Sequence, residues 1–141
     1  MKTALTACLI GASLFAAPSI AEDVTVAPGL WSYQASATLG PIPLTEAGSE
    51  CVDQTEASMS LNDLIRKMNA ACSVTRQNAI DGGYSFDVSC SGGPDGTMSG
   101  TLLVTDVNLV LDATGYAGAP GNELPVAISG QATRVADSCG F

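Results

Sequence analysis

The strongest constraint on this chain is an alternation of apolar and polar side chains with a period of two residues, which recurs along most of its length between turn signals. Only extended backbone sends successive side chains to opposite faces, so the pattern specifies half-buried strands. After the turn Pro28-Gly29, Trp31, Tyr33, Ala35, Ala37 and Leu39 alternate with Ser32, Gln34, Ser36 and Thr38. Gly40-Pro41-Ile42-Pro43 breaks this strand, and Leu44 to Val52 is expected to return as its antiparallel neighbour.

The same period returns after Cys72. Tyr84, Phe86, Val88 and Cys90 share one face, with Ser85, Asp87 and Ser89 on the other. Ser91 to Gly96 (SGGPDG) is a dense turn signal. Met98, Gly100, Leu102 and Val104 then face inward, a turn falls at Thr105-Asp106, and Val107, Leu109, Leu111 and Ala113 follow. Gly115 to Leu124 reads as the longest loop of the second half, and Pro125 to Val135 as the last strand. Short strands with turn signals about every ten residues predict a mainly β (α+β) fold, an antiparallel meander curled into an open or nearly closed barrel.

One stretch keeps a different period. Leu61, Leu64, Ile65 and Met68 recur at helical spacing, with Ser60 and Asp63 placed to cap the start and Arg66 and Lys67 near the negative end of the dipole. A helix so short is marginal alone, so its apolar stripe is expected to pack on the sheet.

Cys51, Cys72, Cys90 and Cys139 lie far apart, with no Cys-x-x-Cys and no histidine in the chain. That spacing speaks for two disulfides rather than zinc. Hairpin register ranks the pairings. A three-residue loop Ile80-Asp81-Gly82, with Gly82 left-handed, aligns Val74 with Val88, Arg76 with Phe86 and Cys72 with Cys90 on the apolar side. A two-residue loop Asp81-Gly82 sends the two cysteines to opposite faces and sets Gln77 against Phe86. The first register matches apolar with apolar, so Cys72–Cys90 is expected, and Cys51–Cys139 by elimination.

The N-terminus states a destination. Lys2, the apolar run from Ala4 to Pro18 and small residues at Ser19 and Ala21 predict a signal peptide over residues 1–21, cleaved between Ala21 and Glu22. Cys8 stands too near the start of the apolar run to serve as a lipid anchor. Residues 22–141 would then be a single disulfide-stabilised domain, periplasmic or secreted, with no membrane span after cleavage. The net charge of −9 repels nucleic acid and anionic lipid surfaces.

No catalytic constellation stands out, so the expectation is a non-enzyme without cofactor or metal. There is no Gly-x-Ser-x-Gly elbow, and histidine, the commonest partner base for Ser or Cys, is missing. Asp95 lies in a glycine-rich stretch without the Lys-Ser/Thr of a phosphate cradle. Arg76 is the odd residue. Its parity with Cys72 and Val74 puts a charge on the apolar side, either snorkelling at a strand end or pairing with a ligand in a barrel mouth.

Pro28-Gly29-Leu30-Trp31 at the first strand, Cys51-Val52-Asp53-Gln54-Thr55-Glu56 before the helix, Cys72 with Cys90, and the closing Cys139-Gly140 together carry a resemblance. The chain resembles the exported bacterial proteins of domain-of-unknown-function family 3617 over nearly all of residues 22–141. It departs where the resemblance leads one to expect an aromatic residue and a Gly before the last Cys; Val135-Ala136-Asp137-Ser138 stands there instead. The resemblance implies location and architecture, and no activity. Two roles follow as expectations. One is an envelope protein binding a small apolar ligand or lipid, with Trp31, Tyr33 and Arg76 as candidate lining residues. The other is an assembly module that meets another envelope protein through a sheet edge or the 115–124 loop.

Overall fold

A computed structural model describes residues 23–92 and 95–140. The predicted signal peptide and its cleavage point at Ala21 and Glu22 lie outside the described residues. Strands β1 (Asp23–Thr25), β2 (Gly29–Leu39), β3 (Ile42–Val52) and β4 (Ser58–Ser60) precede helix α1 (Leu61–Met68). Strands β5 (Cys72–Ile80), β6 (Gly83–Cys90), β7 (Gly96–Val104), β8 (Asn108–Ala117) and β9 (Leu124–Ala136) follow it.

The long strands form one seven-stranded antiparallel sheet in the order β3-β2-β9-β8-β7-β6-β5, while β1 and β4 make a two-stranded ribbon. The meander from β5 to β9 is thus joined to the β2–β3 hairpin by the last strand. Among the described residues no sheet closes into a barrel; β3 and β5 are the two edges of the seven-stranded sheet. The sheet stays open because β9 pairs with β2, leaving β3 at one end and β5 at the other.

Helix α1 covers part of one face. The Ser60 hydroxyl accepts from the Asp63 amide at 3.0 Å, which caps an otherwise orphaned N–H. Leu61 and Ile65 are buried in a cluster with Val24, Cys72, Phe86, Val88, Leu102 and Ala113, so the helix sits over the β5–β8 half of the sheet. Asn62 Oδ1 accepts from the Val74 amide at 2.9 Å, so the helix also satisfies part of the β5 backbone.

The β5–β6 hairpin combines both registers weighed from sequence. Its tip is the two-residue loop Asp81-Gly82, with Ile80 opposite Gly83 and Gln77 opposite Phe86. Gly82 takes the left-handed conformation, φ 81°. The register then shifts between Val74 and Arg76, where Thr75 is an extra residue, so that Val74 meets Val88 and Cys72 meets Cys90. The bulge corrects the expectation for Arg76. It pairs with Asp87 and is exposed on the polar face, and the inward position beside Phe86 belongs to Gln77.

Two disulfides close the structure, Cys72–Cys90 across this hairpin and Cys51–Cys139 over 88 residues. Leu30 lies directly between Cys51 on β3 and Ala136 on β9, so the second bond staples the chain's end across three strands. The expected long loop is shorter than its composition suggests. Gly115 and Tyr116 continue β8 by pairing with Val126 and Pro125, and Leu124 already belongs to β9.

Candidate functional site

The sequence motifs at the start of β2 serve the fold. Gly29 adopts φ 144°, and a Cβ there would lie 2.2 Å from the Ala136 carbonyl oxygen, so the position requires glycine. The preceding Pro28 carbonyl accepts from Arg134 Nε at 2.8 Å. Trp31 is only 3 % exposed, and its indole Nε1 donates to the Ala27 carbonyl at 3.0 Å. A buried, satisfied indole is a core residue; Trp31 presents no surface for a ligand to meet.

The second motif is also structural. Asp53 Oδ1 accepts from the Thr55 hydroxyl at 2.7 Å and from the Thr55 and Glu56 amides at 2.9 Å. The Thr55 hydroxyl, then the Glu56 amide, hold the Asp53 carboxyl below the usual carboxylate range. Glu56 in turn meets Lys67 of α1 at 3.2 Å.

Tyr33, on the same face as Trp31, lies among β3 side chains. Its hydroxyl donates to Glu46 Oε1 at 3.3 Å. The Glu46 charge, then partial desolvation, raise the phenol above its ordinary 10.0, with Glu50 adding to the effect. Trp31, Tyr33 and Arg76 therefore do not meet at one site. The first is enclosed, the second faces the β3 edge, and the third lies on the opposite side of the sheet.

Beyond α1, the apolar face continues uncovered over β2, β3 and β9. Cross-strand pairing puts Ala37, Leu39, Ile42, Leu44, Val126 and Ile128 on that one face. Ile42 is 54 % and Leu44 56 % exposed. Along β3 these are followed on the same face by Glu46 and Glu50. Sequence alternation identified the strand face; which half the helix leaves bare depends on strand order, which alternation does not encode.

The opposite face is polar and regular. One row crosses all seven strands through Thr45, Ser36, Ser129, Asp112, Thr101, Ser85 and Asn78. The next passes through Thr38, Ala127, Thr114, Ser99, Asp87 and Arg76, and Ser99 Oγ donates to Asp87 Oδ1 at 2.7 Å. Two open hollows lie on this face. One, of ≈ 510 Å³, is bounded by Thr38, Thr97, Ser99, Thr114, Tyr116 and Ala127; the other, of ≈ 460 Å³, by Gln34, Ser36, Thr45, Val110, Ser129 and Gln131.

Among the described residues, no group of three or more Cys, Asp or Glu side chains is placed to hold a metal ion. No described helix is long and apolar enough to cross a membrane.

A family model described as a protein of unknown function, DUF3617, matches residues 26–139, and the chain belongs to that family. Neither the comparison with curated proteins nor that with solved structures finds a match.

Proposed function

We propose that this member of the DUF3617 family is an exported, non-catalytic envelope protein that holds a partner protein at the uncovered end of its sheet. The observation that carries this reading is the exposure of Ile42 at 54 % and Leu44 at 56 %, in continuity with Leu39, Val126 and Ile128. Large aliphatic side chains left in water on one continuous face are the kind of surface an interface buries. The acids farther along β3, Glu46 and Glu50, give the partner a second requirement. Its docking segment carries apolar side chains followed by basic ones, which the overall charge of −9 also favours. The two disulfides fit an oxidising compartment such as the periplasm or the exterior. Enclosure of Trp31 weighs against the other expectation, a small apolar ligand held over the indole.

In-cell photocrosslinking tests the reading. A photoreactive side chain replacing Leu44 should give a discrete polypeptide adduct, and the same group replacing Thr45, on the opposite face, should not. Adding Glu46→Lys and Glu50→Lys should remove the adduct. The proposal fails if position 44 yields no adduct, yields a lipid adduct, or labels proteins no more selectively than position 45.

A further inference from the structure

We propose that the groove along β9 on the polar face binds a neutral oligosaccharide, with Tyr116 as its stacking platform. This site lies on the other side of the sheet from the apolar face and stands independently of the partner reading.

The groove has a cause in sequence. Strand β9, third in the sheet, sets Ala127 between Thr38 on β2 and Thr114 on β8, and Ser129 between Ser36 and Asp112, so the face is lowest at Ala127. One hollow borders β9 at Pro125–Ala127 and the other at Ser129–Gln131, so together they reach from Pro125 to Gln131. At about 3.3 Å per residue that is a trough of roughly 20 Å, long enough for several sugar rings in line.

Its chemistry selects the ligand. The walls offer hydroxyls and side-chain amides, which both donate and accept hydrogen bonds, as sugar hydroxyls do. Solvent-facing surfaces ordinarily carry many charged side chains. Here β2, β3 and β9 present no charged side chain on the polar face, and Asp112, Asp87 and Arg76 lie on β8, β6 and β5. Nothing in that lining attracts an anion, and the net charge of −9 repels one. Tyr116 is 58 % exposed at one end of the trough, directly opposite Pro125 and Thr97. An aromatic ring with a polar tip suits the apolar face and hydroxyl rim of a pyranose. A peptide strand is the weaker candidate. Both edges of β9 are already paired, so no backbone is open there for strand addition.

The test is an amide chemical-shift titration of the exported protein with chitohexaose, cellohexaose and maltohexaose in turn, at millimolar concentrations. Saturable shifts with at least one of them, confined to polar-face residues of β2, β8 and β9, are expected. Tyr116→Ala should weaken that binding at least about tenfold. Ala127→Leu, which fills the groove floor, should abolish it and serves as the second variant if the first fails to fold. No saturable shift with any of the three sugars overturns the proposal. So do shifts that survive Ala127→Leu, or shifts centred on the apolar face.

Discussion

The ring of Tyr33 lies over Gly48, its direct cross-strand partner: a Cβ on residue 48 would stand 2.9 Å from the Tyr33 hydroxyl and 3.1 Å from Cζ. The absent side chain is what lets the phenol lie against β3 and reach Glu46. An aromatic covering a cross-strand glycine in this way is a known device for holding strand pairs in register. Gly48→Ala should push the ring away from Glu46. Tyrosine absorbance titration should then show one phenol moving down toward 10.0, with Tm nearly unchanged. The sign of the pH effect follows. Because the folded phenol binds its proton more tightly than the unfolded one, its contribution is complete below pH 10.0 and is lost as pH rises through the folded value.

Asp53 gives the opposite sign at the other end of the scale. Its folded pKa lies below the ordinary 3.8, so its contribution is present above that value and is lost as pH falls through the folded one. Asp53→Ala should therefore be less stable than the parent at neutral pH. Urea midpoints measured from pH 7 downward should converge in acid; a constant gap would refute the assignment.

Trp31 is a core residue, so Trp31→Ala should cost about 3–5 kcal/mol. Trp31→Phe keeps most of the apolar contact but loses the Nε1 bond to Ala27 and should cost less. Urea denaturation followed by far-UV circular dichroism measures both. A cost below about 1 kcal/mol for the alanine variant would mean that the indole is not enclosed.

The disulfides should differ in worth. In the chain-entropy model, the Cys51–Cys139 bond, closing 88 residues, contributes about 4–5 kcal/mol, and Cys72–Cys90, closing 18, about 3 kcal/mol. Paired Cys→Ser variants compared by urea denaturation should lose stability in that order.

Thr75 is the extra residue of its strand, and deleting it should leave Arg76 opposite Asp87 and Cys72 opposite Cys90. Deleting Gln77 instead brings Arg76 opposite Phe86, on the apolar face. The first deletion should retain the Cys72–Cys90 bond and cost no more than about 2 kcal/mol; the second should cost more. Non-reducing peptide mapping and thermal melts check both.

The bulge at Thr75 also shows where sequence reasoning ran out. Alternation in β2 and β6 to β8, the Ser60 cap and the Leu61-Leu64-Ile65-Met68 stripe were all legible, because each depends on neighbours within a few residues. The hairpin presented two conflicting local signals, a two-residue turn and facing cysteines. A single bulge satisfies both and moves Arg76 outward. Strand β9 between β2 and β8 was illegible for another reason: antiparallel pairing across most of the chain leaves no mark on periodicity. Consequently neither the uncovered end of the apolar face nor the hollows opposite it are encoded in the local pattern. The ribbon of β1 and β4, three residues each, was too short to carry a pattern.

Strand β9 is the one that joins the sheet. Until residues 124–136 are in place, β2–β3 and β5–β8 are separate pieces with no hydrogen-bonded ladder between them. Completing the sheet then requires contacts spanning almost the whole chain, a slow topology because the loop must close before those contacts reward it. The native sheet cannot be complete until β9 is in place, and the Cys51–Cys139 bond then ties the joined pieces together.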